Sequence, residues 1–221
     1  MAGFQACTIK KPSVASQIPK ETCTSLTTFS VRQQAPHLPI KQRPALTNPM
    51  PGRHAGAVSL LILTTGGTID KVYFDASSEY EVGESTVPHV FRESGVTLPW
   101  RLESLFRKDS LEMTAEDRAI IRSVCEQAPE THILVTHGTD TMCETAAFLT
   151  GIPGKTIVLT GALAPAHFRV TDAIFNLGLA LGAVQSRPPG VYIAMNGTVF
   201  PAGKVRKNRA QGRFESVEIP E

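Results

Sequence analysis

Val58-Ser-Leu-Leu-Ile-Leu-Thr64 runs straight into Thr65-Gly-Gly-Thr68. The first part is an apolar run of strand length, and the glycine pair ends it. Three later segments have the same form. His132–Thr136 is ended by His137-Gly-Thr-Asp140, Thr156–Thr160 by Gly161-Ala162, and Gly190–Met195 by Asn196-Gly-Thr198. A shorter strand is expected at Arg101–Phe106, ended by Lys108-Asp-Ser110. Helices are expected between them. One starts at Thr114, with Asp117 three residues on, and runs to about Ala128 before Pro129. Another spans Thr141–Leu149, with Gly151 at its C-terminal cap. A third opens at Thr171/Asp172 and reaches about Val184. The strands are continuous apolar runs rather than alternating ones, and such strands belong to a parallel sheet covered on both faces. The expected class is α/β: a three-layer, doubly wound, mostly parallel sheet in a single domain. No internal repeat is visible.

Composition bounds the rest. At 221 residues and 42% apolar, the chain suits one cored domain with a tail. No apolar run of about 18 residues occurs, so no transmembrane helix and no membrane partner are expected. Residues 1–56 hold seven of the 22 basic residues (Lys10, Lys11, Lys20, Arg32, Lys41, Arg43, Arg53) and one acid, Glu21. The remainder holds 15 basic and 19 acidic residues, a net charge of −4. A nucleic-acid partner usually needs a basic face, so this balance argues against one. Cys7, Cys23, Cys125 and Cys143 form no C-x-x-C pair, which speaks against a zinc ribbon or a thioredoxin-like site. Free thiols in a reducing, cytoplasmic setting are expected.

Residues 1–56 are Ser/Thr/Pro-rich and carry no apolar signal region. Disorder is expected there. An organelle transit peptide shares the composition, and Met50 is an alternative start. The folded domain is expected at 57–221.

In an open parallel sheet, ligands bind outside the carboxyl ends of the strands. Those ends here are crowded with Gly, Ser, Thr and Asp. Each loop alone reads equally as turn and cap chemistry. Thr68 is a candidate nucleophile, since two preceding glycines let the backbone approach a ligand, and their N–H groups suit an oxyanion. The bland alternative is a glycine turn with a capping Thr. Thr139 and Asp140 place a hydroxyl beside a carboxylate, and Asp140 also suits the N-cap of the next helix. His137 reads more readily as a packed, hydrogen-bonded residue than as a base. Lys207, in Gly203-Lys-Val-Arg-Lys-Asn-Arg209, reads as a solvated basic loop or as a charge that eases deprotonation of a hydroxyl. Ser110 and Tyr80 are ambiguous singly.

Two segments together carry a resemblance. Leu63-Thr-Thr-Gly-Gly-Thr-Ile69 and Val135-Thr-His-Gly-Thr-Asp-Thr-Met142 resemble the two signature segments of bacterial-type L-asparaginases. Similarity extends through Ser78-Glu-Tyr-Glu-Val-Gly83, Val158-Leu-Thr-Gly-Ala162, Phe175-Asn-Leu177 and Met195-Asn-Gly-Thr-Val199, covering about residues 58–215. The resemblance implies that Thr68 attacks a side-chain amide and that Thr139, Lys207 and Asp140 form a relay. Asp140 would also hold the substrate amino group. The family tyrosine falls on Tyr80, with Tyr73 as the alternative. Gly67, Ser110, Thr139, Asp140 and Ala162 fall at substrate-binding positions. The implied reaction is two-step hydrolysis of L-asparagine through an acyl-enzyme, with no metal or organic cofactor.

Two departures accompany the resemblance. The usual Arg-Pro reads Ala164-Pro165, and only the large N-terminal domain of ordinary members, without their second α/β domain, is expected here. Met50 to Glu221 is 172 residues, similar in size to short asparaginases without that domain. A homo-oligomer is the family habit. The alternatives from other classes are a subunit related to tRNA-dependent amidotransferases and a non-catalytic asparagine- or aspartate-binding domain. One methylene separates asparagine from glutamine, and pocket shape decides between them.

Overall fold

The computed structural model describes residues 46–47, 59–74 and 79–217. The expectations for the rest of residues 1–56, Cys7 and Cys23 included, lie outside them. The elements are β1 (Leu46–Thr47), β2 (Leu60–Gly66), β3 (Lys71–Phe74), β4 (Glu79–Val82), α1 (Val87–Glu93), β5 (Trp100–Lys108), α2 (Ala115–Gln127), β6 (His132–Thr136), α3 (Met142–Phe148), β7 (Thr156–Thr160), α4 (Ala173–Ser186), β8 (Gly190–Met195), β9 (Thr198–Pro201), β10 (Val205–Asn208) and β11 (Arg213–Ser216).

Seven strands form the main sheet in the order β1-β5-β2-β6-β7-β8-β9. The five from β5 to β8 are parallel neighbours, and β1 and β9 are antiparallel edges. From β2 the chain steps outward to β5, then crosses back over β2 to β6. The winding therefore reverses between β2 and β6, which is where such sheets bind ligands.

The apolar runs are continuous because both faces of the sheet are covered. Leu60 and Ile62 join Leu134 and Val158 under α1 and α4. Leu61 and Leu63 join Ile133, Val135, Ile157 and Leu159 under α2 and α3. Alternation persists in three dimensions, although it is silent in the sequence. The register aligns Leu63 with Val135 and Leu159, and Thr64 with Thr136 and Thr160. This row of threonines marks where core gives way to the polar edge. α2 begins with the expected capping box, in which Thr114 accepts from the Asp117 N–H and Asp117 accepts from the Thr114 N–H.

Some elements differ from expectation. β5 is longer at both ends, and an unanticipated hairpin, β3–β4, precedes α1. Asn196-Gly197 ends the parallel strand β8 as expected, but it does so by turning the chain directly into antiparallel β9, which was not expected. Asn196 (φ 51) and Gly197 (φ 79) both lie in the left-handed region, as a two-residue hairpin turn requires. β10 and β11 form a further hairpin where a basic loop was one of the two readings. Its Val205 and Phe214 reach the core beside α3, which roots it to the sheet. Cys125 and Cys143 are free thiols, and burial pushes Cys125 up to about 12, far from reactive.

Leu134 is fully buried in a central strand. Leu134→Ala is expected to cost about 2–5 kcal/mol, against about 1 kcal/mol for Thr114→Ala at the helix cap. Urea unfolding with unchanged m-values checks this ranking.

Candidate active site

The carboxyl ends of β2, β5 and β6 meet with almost no space between them. A Cβ built on Gly67 would lie 2.5 Å from the Gly138 Cα and 2.5 Å from its nitrogen. A Cβ on Gly138 would lie 2.5 Å from Ser110 Oγ and 2.6 Å from Ser110 Cβ. Only glycines allow three loops to stack backbone on backbone in this way. Gly67 also has φ 91, a conformation that favours glycine. Thr65 Oγ1 donates to the Thr136 carbonyl at 2.9 Å, tying the β2 end to the β6 end. Thr141 Oγ1 donates to the Ser110 carbonyl at 2.8 Å, tying β5 to the same edge.

Thr68 begins a short 3-10 turn, Thr68–Asp70, and is partly exposed. The Gly67 N–H donates to the Lys108 carbonyl at 3.0 Å, so in this arrangement it is not free to serve an oxyanion. Thr139 is nearly buried, at 4% exposure. Lys207 Nζ donates to Thr139 Oγ1 at 2.7 Å and to Asp140 Oδ1 at 3.0 Å. Arg209, which no sequence signal singled out, adds a weaker contact to Asp140 Oδ1 at 3.6 Å. Asp140 is not the N-cap of α3. Thr141 takes that position, without a side-chain cap, and the Asp140 carboxylate turns to the lysine instead.

Lys207 reaches this pair from 67 residues away because β10 is a strand. Val205 and Lys207 share one side of it by alternation. Burying Val205 in the α3-side core therefore aims the lysine at the β6 edge. The Phe214 N–H, which donates to Asn196 Oδ1 at 2.9 Å, fixes the hairpin to the β8–β9 turn.

His137 is fully buried, and its partners assign its protons. Its Nδ1 donates to the Gly138 carbonyl at 2.8 Å, so Nε2 accepts from Thr145 Oγ1 at 2.9 Å. Arg118 Nε in turn donates to Thr145 Oγ1 at 3.1 Å. Burial, with the Arg118 charge adding to it, lowers its pKa to about 4 despite the Gly138 bond. The packed reading of His137 holds: it shapes the Gly138 loop as a neutral ring.

The remaining expected residues are placed less tightly. Ser110 Oγ is buried with no hydrogen-bond partner among the described residues. Such a hydroxyl is costly to bury, and a ligand group at this edge would supply the missing bond. The Ala162 side chain packs with Ala173 and Leu177 in the α4-side core, so any role toward a substrate falls to its backbone. Tyr73 and Tyr80 face each other across the β3–β4 hairpin, with ring centroids 5.4 Å apart, and Phe168 lies 6.1 Å from Tyr80. Both tyrosines are about half exposed, at 53% and 51%. Thr139, Asp140 and Lys207 are brought together. Neither tyrosine joins them, and the two remain equivalent candidates on the hairpin that follows Thr68.

A polar, lysine-centred cluster thus stands at the switch point of a doubly wound sheet. The family model described as Asparaginase, N-terminal, matches residues 59–221. The L-asparaginase of Thermococcus kodakarensis is 31% identical over 180 residues, covering 74% of this chain and 52% of that protein. The glutaminase-asparaginase of Acinetobacter glutaminasificans is 29% identical over 167 residues, covering 67% and 49%. The solved structure of the thermostable T. kodakarensis enzyme superimposes with a TM-score of 0.65 at 26% identity, covering 73% of this chain and 52% of that one. The chain belongs to the asparaginase family and corresponds to its N-terminal region. It spans about half the length of the curated relatives it matches.

Two outcomes follow from this geometry. Gly138→Ala must displace Ser110 or its own loop, and it is expected to destabilise by about 1–3 kcal/mol, read by thermal unfolding. His137 prefers neutrality in the fold, with a pKa of about 4 against an ordinary 6.5. Its contribution to stability is complete above pH 6.5 and is lost as pH falls toward 4. His137→Gln is expected to flatten that part of the stability–pH curve.

Proposed function

We propose that this protein hydrolyses the side-chain amide of L-asparagine to aspartate and ammonia, with Thr68 as nucleophile. The single observation that carries this reading is Lys207 Nζ bonded to both Thr139 Oγ1 and Asp140 Oδ1 at the β6 end. That end abuts the Thr68 turn through Gly67 and Gly138. A threonine hydroxyl needs help to attack an amide, and a lysine held by a hydroxyl and a carboxylate provides a polar route for its proton. Family membership supports the same chemistry.

The reaction has two steps. Thr68 Oγ bonds to the carboxamide carbon, its proton passes to the departing nitrogen, and ammonia leaves an acyl-enzyme. Water then cleaves the ester and restores the hydroxyl. Asp140 has one oxygen bonded to Lys207 and offers the other to the substrate α-ammonium group. Ser110 Oγ offers the buried edge a hydroxyl for the α-carboxylate.

Ammonia release from L-asparagine and L-glutamine tests the proposal. Thr68→Ala is expected to lower kcat by roughly three or more orders of magnitude. Lys207→Met is expected to lower it by about a hundredfold. Full turnover by Thr68→Ala would refute the nucleophile. Calorimetric binding of aspartate by a wild type that releases no ammonia would favour a binding domain instead.

A further inference from the structure

The β3–β4 hairpin leaves the Thr68 turn at Lys71 and returns to the body of the domain at Thr86. Asp70 stands between that turn and this root, and it is almost fully buried, at 1% exposure. Each of its polar groups is spent on closing the root. Its N–H donates to the Gly67 carbonyl at 3.2 Å, continuing the turn that holds Thr68. Its carbonyl accepts from the Gly83 N–H at 2.8 Å, on the returning strand. Its carboxylate Oδ1 accepts from the Thr86 N–H at 2.9 Å and from Thr86 Oγ1 at 3.0 Å. The Thr86 carbonyl then accepts from His89 and Val90, opening α1. One residue thus joins the nucleophile turn, both ends of the hairpin and the first helix.

We propose that Asp70 is a positioning residue whose carboxylate, held by Thr86, locks the root of the tyrosine-bearing β3–β4 hairpin against the Thr68 turn. This rests on the reading of Thr68 as nucleophile given above. The clasp acts through the hairpin, not on the substrate. Tyr73 and Tyr80 gain a defined place relative to Thr68 only if residues 71–85 are fixed at their root.

The surroundings of Asp70 make this clasp sensitive to charge. Its partner Thr86 lines a cavity of about 460 Å³ together with His89 of α1, His167 of the segment before α4, Arg107 of β5, and Glu81 and Glu84 around the end of β4. Burial raises the Asp70 pKa to about 6, against the lowering pull of the Thr86 bonds, His167 and Arg107. Above that pH the carboxylate makes charge-assisted bonds. Below it a neutral acid accepts the same two donors more weakly. The fold would gain stability from protonation as pH falls from about 6 toward 3.8, so a carboxylate is kept here at a cost to the fold at neutral pH.

The test combines steady-state ammonia release from L-asparagine at pH 5–9 with hydrogen exchange of the 71–85 amides, corrected for intrinsic rates. Thr86→Val deletes one donor, and it is expected to lower kcat about tenfold with little change in KM. Thr86→Ser keeps both donors and restores kcat. The wild type loses kcat below about pH 6. Asp70→Asn lacks that acid limb, and it raises the melting temperature at pH 8 while lowering kcat; a residue with only a structural role would lower both. Exchange of 71–85 quickens in Thr86→Val while the β2 and β6 amides are unchanged. Unchanged exchange together with wild-type kcat in Thr86→Val, or an intact acid limb in Asp70→Asn, overturns the clasp. Quickened exchange with no ammonia release by any form, wild type included, upholds the clasp and overturns the catalytic reading instead.

Discussion

Everything at the candidate site depends on the contact of Gly67 with Gly138, where two loops touch through bare backbone. Strands in a parallel sheet stand nearly 5 Å apart, and the loops that leave them normally diverge. Here they converge, because neither contact position carries a Cβ. Ser110 then closes on the other side of Gly138. The hydroxyls of Thr68, Thr139 and Ser110 are held at one edge for that reason, at the point where the winding of the sheet reverses.

Around this contact the molecule divides its work. The sheet and its two apolar faces supply rigidity, with α1 and α4 on one side and α2 and α3 on the other. Polar groups near the edge form two kinds of network. The chain from Arg118 through Thr145 and His137 to Gly138 is buried and fully paired, so it stiffens a loop. The Lys207–Thr139–Asp140 cluster is only partly buried and keeps acceptor capacity free. The buried network holds the shape, and the more open one lies where a ligand could reach it.

The two hairpins supply what the sheet cannot. A parallel sheet presents strand ends from one side only, so a group from elsewhere must be carried in. The β10–β11 hairpin brings Lys207 to the β6 edge, and its anchors Val205 and Phe214 are ordinary core residues. The β3–β4 hairpin carries Tyr73 and Tyr80 as half-exposed rings stacked edge to face. The first hairpin is rooted by apolar burial and the second by hydrogen bonds to the buried Asp70.

The sequence alone determined the elements whose signals are local. The apolar runs at Val58–Thr64, His132–Thr136, Thr156–Thr160 and Gly190–Met195 marked the parallel strands, and Thr114 with Asp117 marked a helix start, because periodicity and capping act within a few residues. Thr68, Thr139, Asp140 and Lys207 were identifiable as candidates through resemblance to a family. Other decisions belonged to the tertiary structure. Asp140 could have capped α3, and it turned to Lys207 because a distant hairpin packs Val205 beneath it. His137 could have been a base, and burial beside Arg118 and Thr145 made it a neutral strut. Asn196-Gly197 was read only as the end of a strand, and the structure makes it the tight turn that lays β9 antiparallel on β8. Asp70 carried no signal at all, since its role comes from closing residues 71–85 at their root. Short-range rules specify where a strand ends; only the packing of distant segments specifies what its last side chains will touch.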